Sequence, residues 1–194
     1  MFSKVLFALP LAAFALIAAK PAPFVPPPMP SMAAPAQVAA DPANRLTLQL
    51  SNGGTVVIQL RPDLAPNHVA RIQALVRQGF YNGLTFHRVI PGFMAQGGDP
   101  KGTGEGGSTM PDLKAEFTEM PFLRGTVAAA RADADDSANS QFFIMFMPNR
   151  GLEDNYTVFG RVISGMDAVD KIAPGEPPAE PTKIVSAHLG NATP

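Results

Sequence analysis

Leu46 to Leu50 alternates apolar and polar residues without a break, and Thr55 to Leu60 is β-branched, with Asn52-Gly53-Gly54 between them. Alternation puts every second side chain on one face of a strand, and an Asn-Gly step favours a hairpin turn. The period then changes. Val69, Ile72, Leu75 and Val76 recur at helical spacing behind Pro66, a good first helical residue, and Gly79 supplies a stop. This spacing predicts one helix over 66–78, with His68, Arg71 and Arg77 largely off the apolar stripe. Period two returns at Phe86 to Ile90, with Phe86, Arg88 and Ile90 on one face and His87 and Val89 on the other. Pro91-Gly92 bends the chain. Phe93 to Gln96 reads as a second short strand, Phe93 and Ala95 facing one way and Met94 and Gln96 the other. A glycine-dense loop follows from Gly97 to Gly107. Thr126 to Arg131, Phe142 to Met147, Tyr156 to Ile163 and Lys183 to Leu189 read as further strands, and Gly165 to Ile172 as a short helix. Many short strands with only two helices point to an antiparallel barrel, because closure removes unpaired edges.

The N-terminus has a different grammar. Lys4 precedes an apolar run from Val5 to Ala19, the layout of a secretory signal peptide over residues 1–19. A transmembrane anchor is the alternative, but the run is shorter than the roughly 20 residues that cross a bilayer, and Pro10 interrupts it. Cleavage fits after Ala19, or at Ala34-Pro35-Ala36 or Val38-Ala39-Ala40. Residues 20–43 are rich in Pro and Ala, which predicts an extended, poorly packed linker. The folded domain is expected over 44–190. With no Cys in the chain, disulfides, thiol catalysis and an N-terminal lipid on cysteine are excluded. An exported, cysteine-free protein suits the periplasm or the outside of the cell. The net charge of −1 gives no electrostatic reason to expect nucleic acid. After signal cleavage the expectation is a monomer without a membrane partner.

Several apparent motifs carry no chemistry. Gly102 to Gly107 lacks the strand-then-helix setting and the Gly-Lys-Ser/Thr step of a nucleotide loop. Asp133-Ala134-Asp135-Asp136 opens like a calcium loop, yet its sixth position is Ala138 and its twelfth Ile144. His68, His87 and His188 have no metal-ligand spacing, and His87 is expected as a packed, hydrogen-bonded imidazole. Asn191-Ala192-Thr193 fits a glycosylation pattern in a frayed tail.

The strand pair 86–96 places a cation, a large aromatic, a thioether and an amide together, a set that can grip an apolar ring and its amide without a nucleophile or metal. The run Phe86-His87-Arg88-Val89-Ile90-Pro91-Gly92-Phe93-Met94-Ala95-Gln96-Gly97-Gly98-Asp99 resembles the core motif of the cyclophilins, the peptidyl-prolyl cis-trans isomerases. Ser140-Gln141-Phe142-Phe143-Ile144 is similar to that family's next signature. The resemblance spans Leu46 to Leu189. It implies a mainly β fold, a closed eight-stranded antiparallel barrel capped by two α-helices, that rotates X-Pro bonds in unfolded or partly folded polypeptide clients without a cofactor.

The resemblance also implies site roles. Arg88 is the catalytic electrostatic element, with Phe93 and Gln96 beside it, and Gln96 is the amide that bonds substrate backbone and Arg88. Phe93, Met94, Phe143 and Leu152 wall the proline pocket. Ala130, Arg131 and Gln141 match positions along the substrate backbone, and Tyr156 stands where the family usually has histidine. Two departures matter. Arg131 replaces a common asparagine, which suggests a salt-sensitive preference for acidic peptides. Gly151 stands where a tryptophan is usual, which suggests weak binding of cyclosporin-type macrocycles. These departures keep open a second reading, a catalytically weak proline-peptide binding or holdase module.

Overall fold

The computed structural model describes residues 31–190; the signal peptide, the first part of the linker and the glycosylation pattern lie outside the described residues. Strands β1 (Arg45–Leu50) and β2 (Thr55–Leu60) form the expected hairpin, pairing Leu46 with Ile58 and Leu48 with Val56. They join β3 (Phe86–Ile90), β4 (Met94–Gly97), β5 (Thr126–Ala129), β6 (Phe142–Met145), β7 (Val158–Ser164) and β8 (Ile184–Leu189) in one eight-stranded antiparallel sheet. Its order is β3-β4-β6-β5-β7-β2-β1-β8. The sheet curls until its two ends meet. Phe86 N–H donates to the Thr182 carbonyl at 2.9 Å, Ile184 N–H to Leu84 at 2.8 Å, and Val89 exchanges both backbone bonds with Gly175.

Two hydrophobic clusters explain why some strands look apolar throughout. In β6, Phe142 and Ile144 enter the central core, while Phe143 and Met145 enter a second cluster with Met94, Met120, Phe122, Ala128 and Val158. β4 and β5 divide in the same way, Ala95 and Val127 to the centre, Met94 and Ala128 to the other side. Strands buried on both faces lose the alternation that marks a half-exposed strand.

The described part of the linker corrects the sequence expectation. Residues 36–40 form a short helix, α1 (Ala36–Ala40), and Met32 packs on the second cluster. Arg61 is nearly fully buried, and its Nη1 donates to the Ser31 and Met32 carbonyls. A buried guanidinium needs acceptors, and this stretch of backbone supplies them.

Helix α2 (Pro66–Arg77) lays Val69, Ile72, Leu75 and Val76 on the central core as the stripe predicts. Its other side is also covered. His68 and Arg71 are buried, because the irregular segment between β4 and β5 crosses that face. There the Glu116 carboxylate accepts from the Asn67 and His68 amides and from His68 Nδ1 at 2.6 Å. Arg71 Nη2 donates to the Pro111 carbonyl. Helix α3 (Met166–Val169) is shorter than expected and continues only as turns to Ile172.

The His68–Glu116 latch sets a pH dependence. Burial holds His68 below the ordinary imidazole range, outweighing the carboxylate beside it. Burial raises Glu116, but its bonds from His68 and the two amides leave it below the usual carboxylate range. Both groups therefore bind protons more readily in the unfolded chain, so stability falls as pH falls. Below about pH 6.5 the histidine acts first, and Glu116 adds its loss in more acid solution. His87, held low mainly by burial, acts in the same direction as His68. Urea unfolding should show stability declining between pH 7.5 and 5, with a shallower decline in His68→Gln, whose amide can still donate to Glu116. An unchanged slope in that variant would remove His68 from this account.

Candidate active site

A β-bulge falls between Phe86 and Arg88: Phe86 opposes Gly97 and Arg88 opposes Gln96. The extra residue is His87, and it reverses the alternation. Phe86 and Val89 both enter the central core, while Arg88 stays partly exposed and Ile90 packs on the second cluster. The expectation that Phe86 and Arg88 share a face is thus corrected. A second correction concerns Phe93. It lies in the turn before β4, with its N–H on the Ile90 carbonyl, and joins Met94 and Gln96 rather than Ala95.

These local choices converge on one depression of about 110 Å³, lined by Arg88, Phe93, Met94, Gln96, Ala130, Arg131, Phe143, Leu152 and Tyr156. Gln141 lies in an adjoining, larger depression of about 390 Å³ with Gly104 to Ser108, Asp112 and Asn139; Gln96, Ala130 and Arg131 border both. Phe143 forms the floor. It stacks on buried Phe122 at 6.2 Å between ring centres and meets Tyr156 edge-on at 5.6 Å. The floor is therefore held from two sides by other rings.

The polar groups form two separate sets, which differ from what the resemblance implied. Gln96 Nε2 donates to Gln141 Oε1 at 2.9 Å, and Gln141 Nε2 donates to the Gly104 and Gly106 carbonyls at 2.8 Å. Gln96 is thus linked to the glycine loop rather than to Arg88. Arg88 Nε donates instead to Glu176 Oε2 at 2.7 Å. Asp99 shapes that loop from beneath. Burial would raise its carboxyl, but amides of Lys101, Gly106, Gly104 and Thr103 hold it below the usual carboxylate range.

Neither ring nitrogen of buried His87 has a hydrogen-bond partner among the described residues. The expected hydrogen-bonded imidazole is packed but not paired.

Arg131 is fully engaged. Nε and Nη2 donate to the Asn155 carbonyl, Nη1 to those of Ala132 and Asp133, and Nη2 pairs with Asp135 at 3.2 Å. Its guanidinium also lies 4.9 Å from the centre of the Tyr156 ring. A guanidinium has five N–H donors, and these contacts occupy all of them. Arg131 therefore has no uncommitted donor for a peptide carboxylate, and any preference for acidic peptides would rest on its charge alone.

Gly151 precedes Leu152 of the depression's lining, and the space beside it is open. An added Cβ would meet nothing within 4 Å except Asn149 Oδ1 at 3.2 Å. Glu176 and Phe122 had no part in the sequence reading, and Asp99 entered it only as the end of the motif, with no role assigned. They sit in irregular segments or at their margins, and only the Asp99-x-x-Gly turn pattern offers a local signal. Among the described residues no three His, Asp or Glu side chains converge as metal ligands.

Residues 45–189 match the family described as cyclophilin type peptidyl-prolyl cis-trans isomerase/CLD. Over 167 residues the chain is 54% identical to a probable peptidyl-prolyl cis-trans isomerase of Brucella suis, covering 78% of this chain and 85% of that one. It is 42% identical over 128 residues to peptidyl-prolyl cis-trans isomerase B of Bacillus subtilis, covering 66% and 89%. Among solved structures, a cyclophilin of Hirschia baltica superposes with a TM-score of 0.71 at 31% identity, covering 77% of this chain and 74% of that one. A cyclophilin-type isomerase of Cryptosporidium parvum, crystallised with the dipeptide Ala-Pro, gives 0.70 at 26% identity, covering 76% and 99%.

The open edge at Gly151 has a measurable consequence. Cyclosporin-type macrocycles should bind weakly, and Gly151→Trp should tighten binding by at least about tenfold, the equivalent of 1.4 kcal/mol. The chain has no tryptophan, so the new indole reports its own titration by fluorescence. Equal affinities in the two proteins would show that this wall is not what limits binding.

Proposed function

The chain belongs to the cyclophilin-type peptidyl-prolyl cis-trans isomerases, and we propose that its catalysis runs through Arg88 over the depression floored by Phe143. The peptide bond resists rotation because nitrogen and carbonyl share π density, with a barrier of about 18–20 kcal/mol. Nothing covalent is broken on the way from cis to trans. The site needs neither nucleophile nor base, only preferential binding of the twisted bond. Lowering the barrier by about 7 kcal/mol accelerates rotation roughly 10⁵-fold.

In this reading the proline ring enters between Phe93, Met94, Phe143 and Leu152, and Tyr156 borders it. As the bond twists, the prolyl nitrogen regains its lone pair. The guanidinium of Arg88 donates to that nitrogen, an interaction worth more in the twisted than in the planar state. The substrate backbone runs past Gln96 and Ala130 toward Gln141. Arg131 acts here by holding Tyr156 rather than by touching peptide. The observation that carries this reading is the position of Arg88. Of the two cations that line the depression, it is the one with hydrogen-bonding capacity to spare, since Arg131 has all its donors committed.

The proposed clients are unfolded or partly folded polypeptides outside the cytoplasm, met by a monomer whose leader has been removed. Lys4, the apolar run after it and the lack of cysteine support that location. N-terminal sequencing of the mature protein tests it; a chain still beginning at Met1 would count against export.

Exchange NMR or a protease-coupled assay on an Ala-Pro peptide tests the mechanism. Arg88→Ala should lose about 10²–10³-fold in kcat/KM, the loss typical of deleting a transition-state donor, while peptide binding weakens far less. Catalysis that survives the substitution would remove Arg88 from the mechanism. Binding by the native protein without any catalysis would favour the holdase reading.

A further inference from the structure

We propose that Glu176 is a positioning residue for the isomerase reaction: it orients the Arg88 guanidinium before substrate arrives. The inference rests on the proposed role of Arg88 and extends it to a carboxylate far away in sequence.

The placement is built by backbone. Val89 and Gly175 exchange both N–H···O bonds, at 2.8 and 2.9 Å, across the seam where the curled sheet closes. Residue 176 therefore lies beside residue 88. The turn that carries it is tight and stiff. Gly175 has φ +142°, and a Cβ there would lie 2.6 Å from Pro178 Cα and 2.9 Å from the Pro177 carbonyl oxygen. Pro177 and Pro178 each have a ring-locked φ. Glu176 is thus held out by a constrained turn rather than by a floppy loop.

The contact has the length of a charge-assisted bond, 2.7 Å from Arg88 Nε to Glu176 Oε2. Both side chains are substantially exposed, 42% and 51%. Exposed ion pairs contribute little to fold stability, so the consequence to look for is geometric. Glu176 takes only the Nε edge of the guanidinium. Nη1 and Nη2 have no hydrogen-bond partner among the described residues, which leaves four N–H donors for a peptide. A long side chain without such a tether must be ordered anew in every turnover. With Nε fixed, that ordering is done in advance, and this favours the reacting geometry.

A mutant cycle on the full-length mature protein tests the proposal. Glu176→Ala should lower kcat about tenfold with KM little changed and the urea midpoint unmoved. Glu176→Gln, which keeps an acceptor oxygen for Nε, should restore most of the rate. In an Arg88→Ala background, Glu176→Ala should add no further loss. The Arg88 Nε–H signal in proton–nitrogen correlation spectra should broaden or disappear in Glu176→Ala while Glu176→Gln retains it.

Full activity in Glu176→Ala, alongside a crippled Arg88→Ala, would overturn this inference and leave the role of Arg88 standing. A rise in KM at unchanged kcat would make Glu176 a substrate contact and overturn it as well. Losses that add across the cycle would mean that Glu176 acts independently of Arg88, which is equally fatal to a positioning role. If Arg88→Ala itself stays active, the mechanism beneath fails first.

Discussion

The single-residue bulge at His87 decides where every side chain of β3 after it points. Without it Arg88 would share the side of Phe86, which is fully buried in the central core. A guanidinium there would be desolvated inside an apolar cluster, which is costly unless acceptors replace its water. The bulge instead lets Phe86 and Val89 both serve the core while Arg88 and Ile90 turn to the groove. The bulge residue His87 is buried, and its ring nitrogens have no partner among the described residues. The groove is bordered by backbone that could not move without unpacking the barrel.

Around that bulge the molecule separates two tasks. The central cluster, sealed by α2, carries the burial that holds the fold. The second cluster supports the depression beside Arg88 from below, with Phe122 and Tyr156 contacting the Phe143 ring on two sides. Aromatic contacts of this kind add stabilisation beyond area alone. Long irregular segments then bring polar groups to the rim. Each is tied by a buried or half-buried residue: the glycine loop by Asp99 and Gln141, the crossing segment by Glu116 and Arg71, the 131–139 loop by Arg131.

Much of this was legible from residue pattern. The first hairpin, the helix after Pro66 and the cluster Arg88, Phe93, Met94, Gln96 and Phe143 follow from period, turn residues and a long family signature. Those features are local, so local rules suffice. Patterning misled wherever local continuity broke. Strict alternation assigned Phe86 and Phe93 to the wrong neighbours, because a bulge and a turn each add a residue that no hydropathy pattern marks. The Pro- and Ala-rich stretch read as free linker, since composition does not reveal that buried Arg61 needs carbonyl acceptors.

What the chain order alone determined is the barrel's set of strands and the residue types of its groove, because strand period and a contiguous motif are written within short windows. Tertiary structure alone decided which partner each polar group takes. Arg88 bonds Glu176 rather than Gln96, and Arg131 is consumed by carbonyls, Asp135 and the Tyr156 ring. Arg88 and Glu176 stand 88 positions apart, and only closure of the curled sheet brings them within a hydrogen bond's length; the Arg131 contacts lie nearer in sequence, but no residue pattern marks which carbonyls they take.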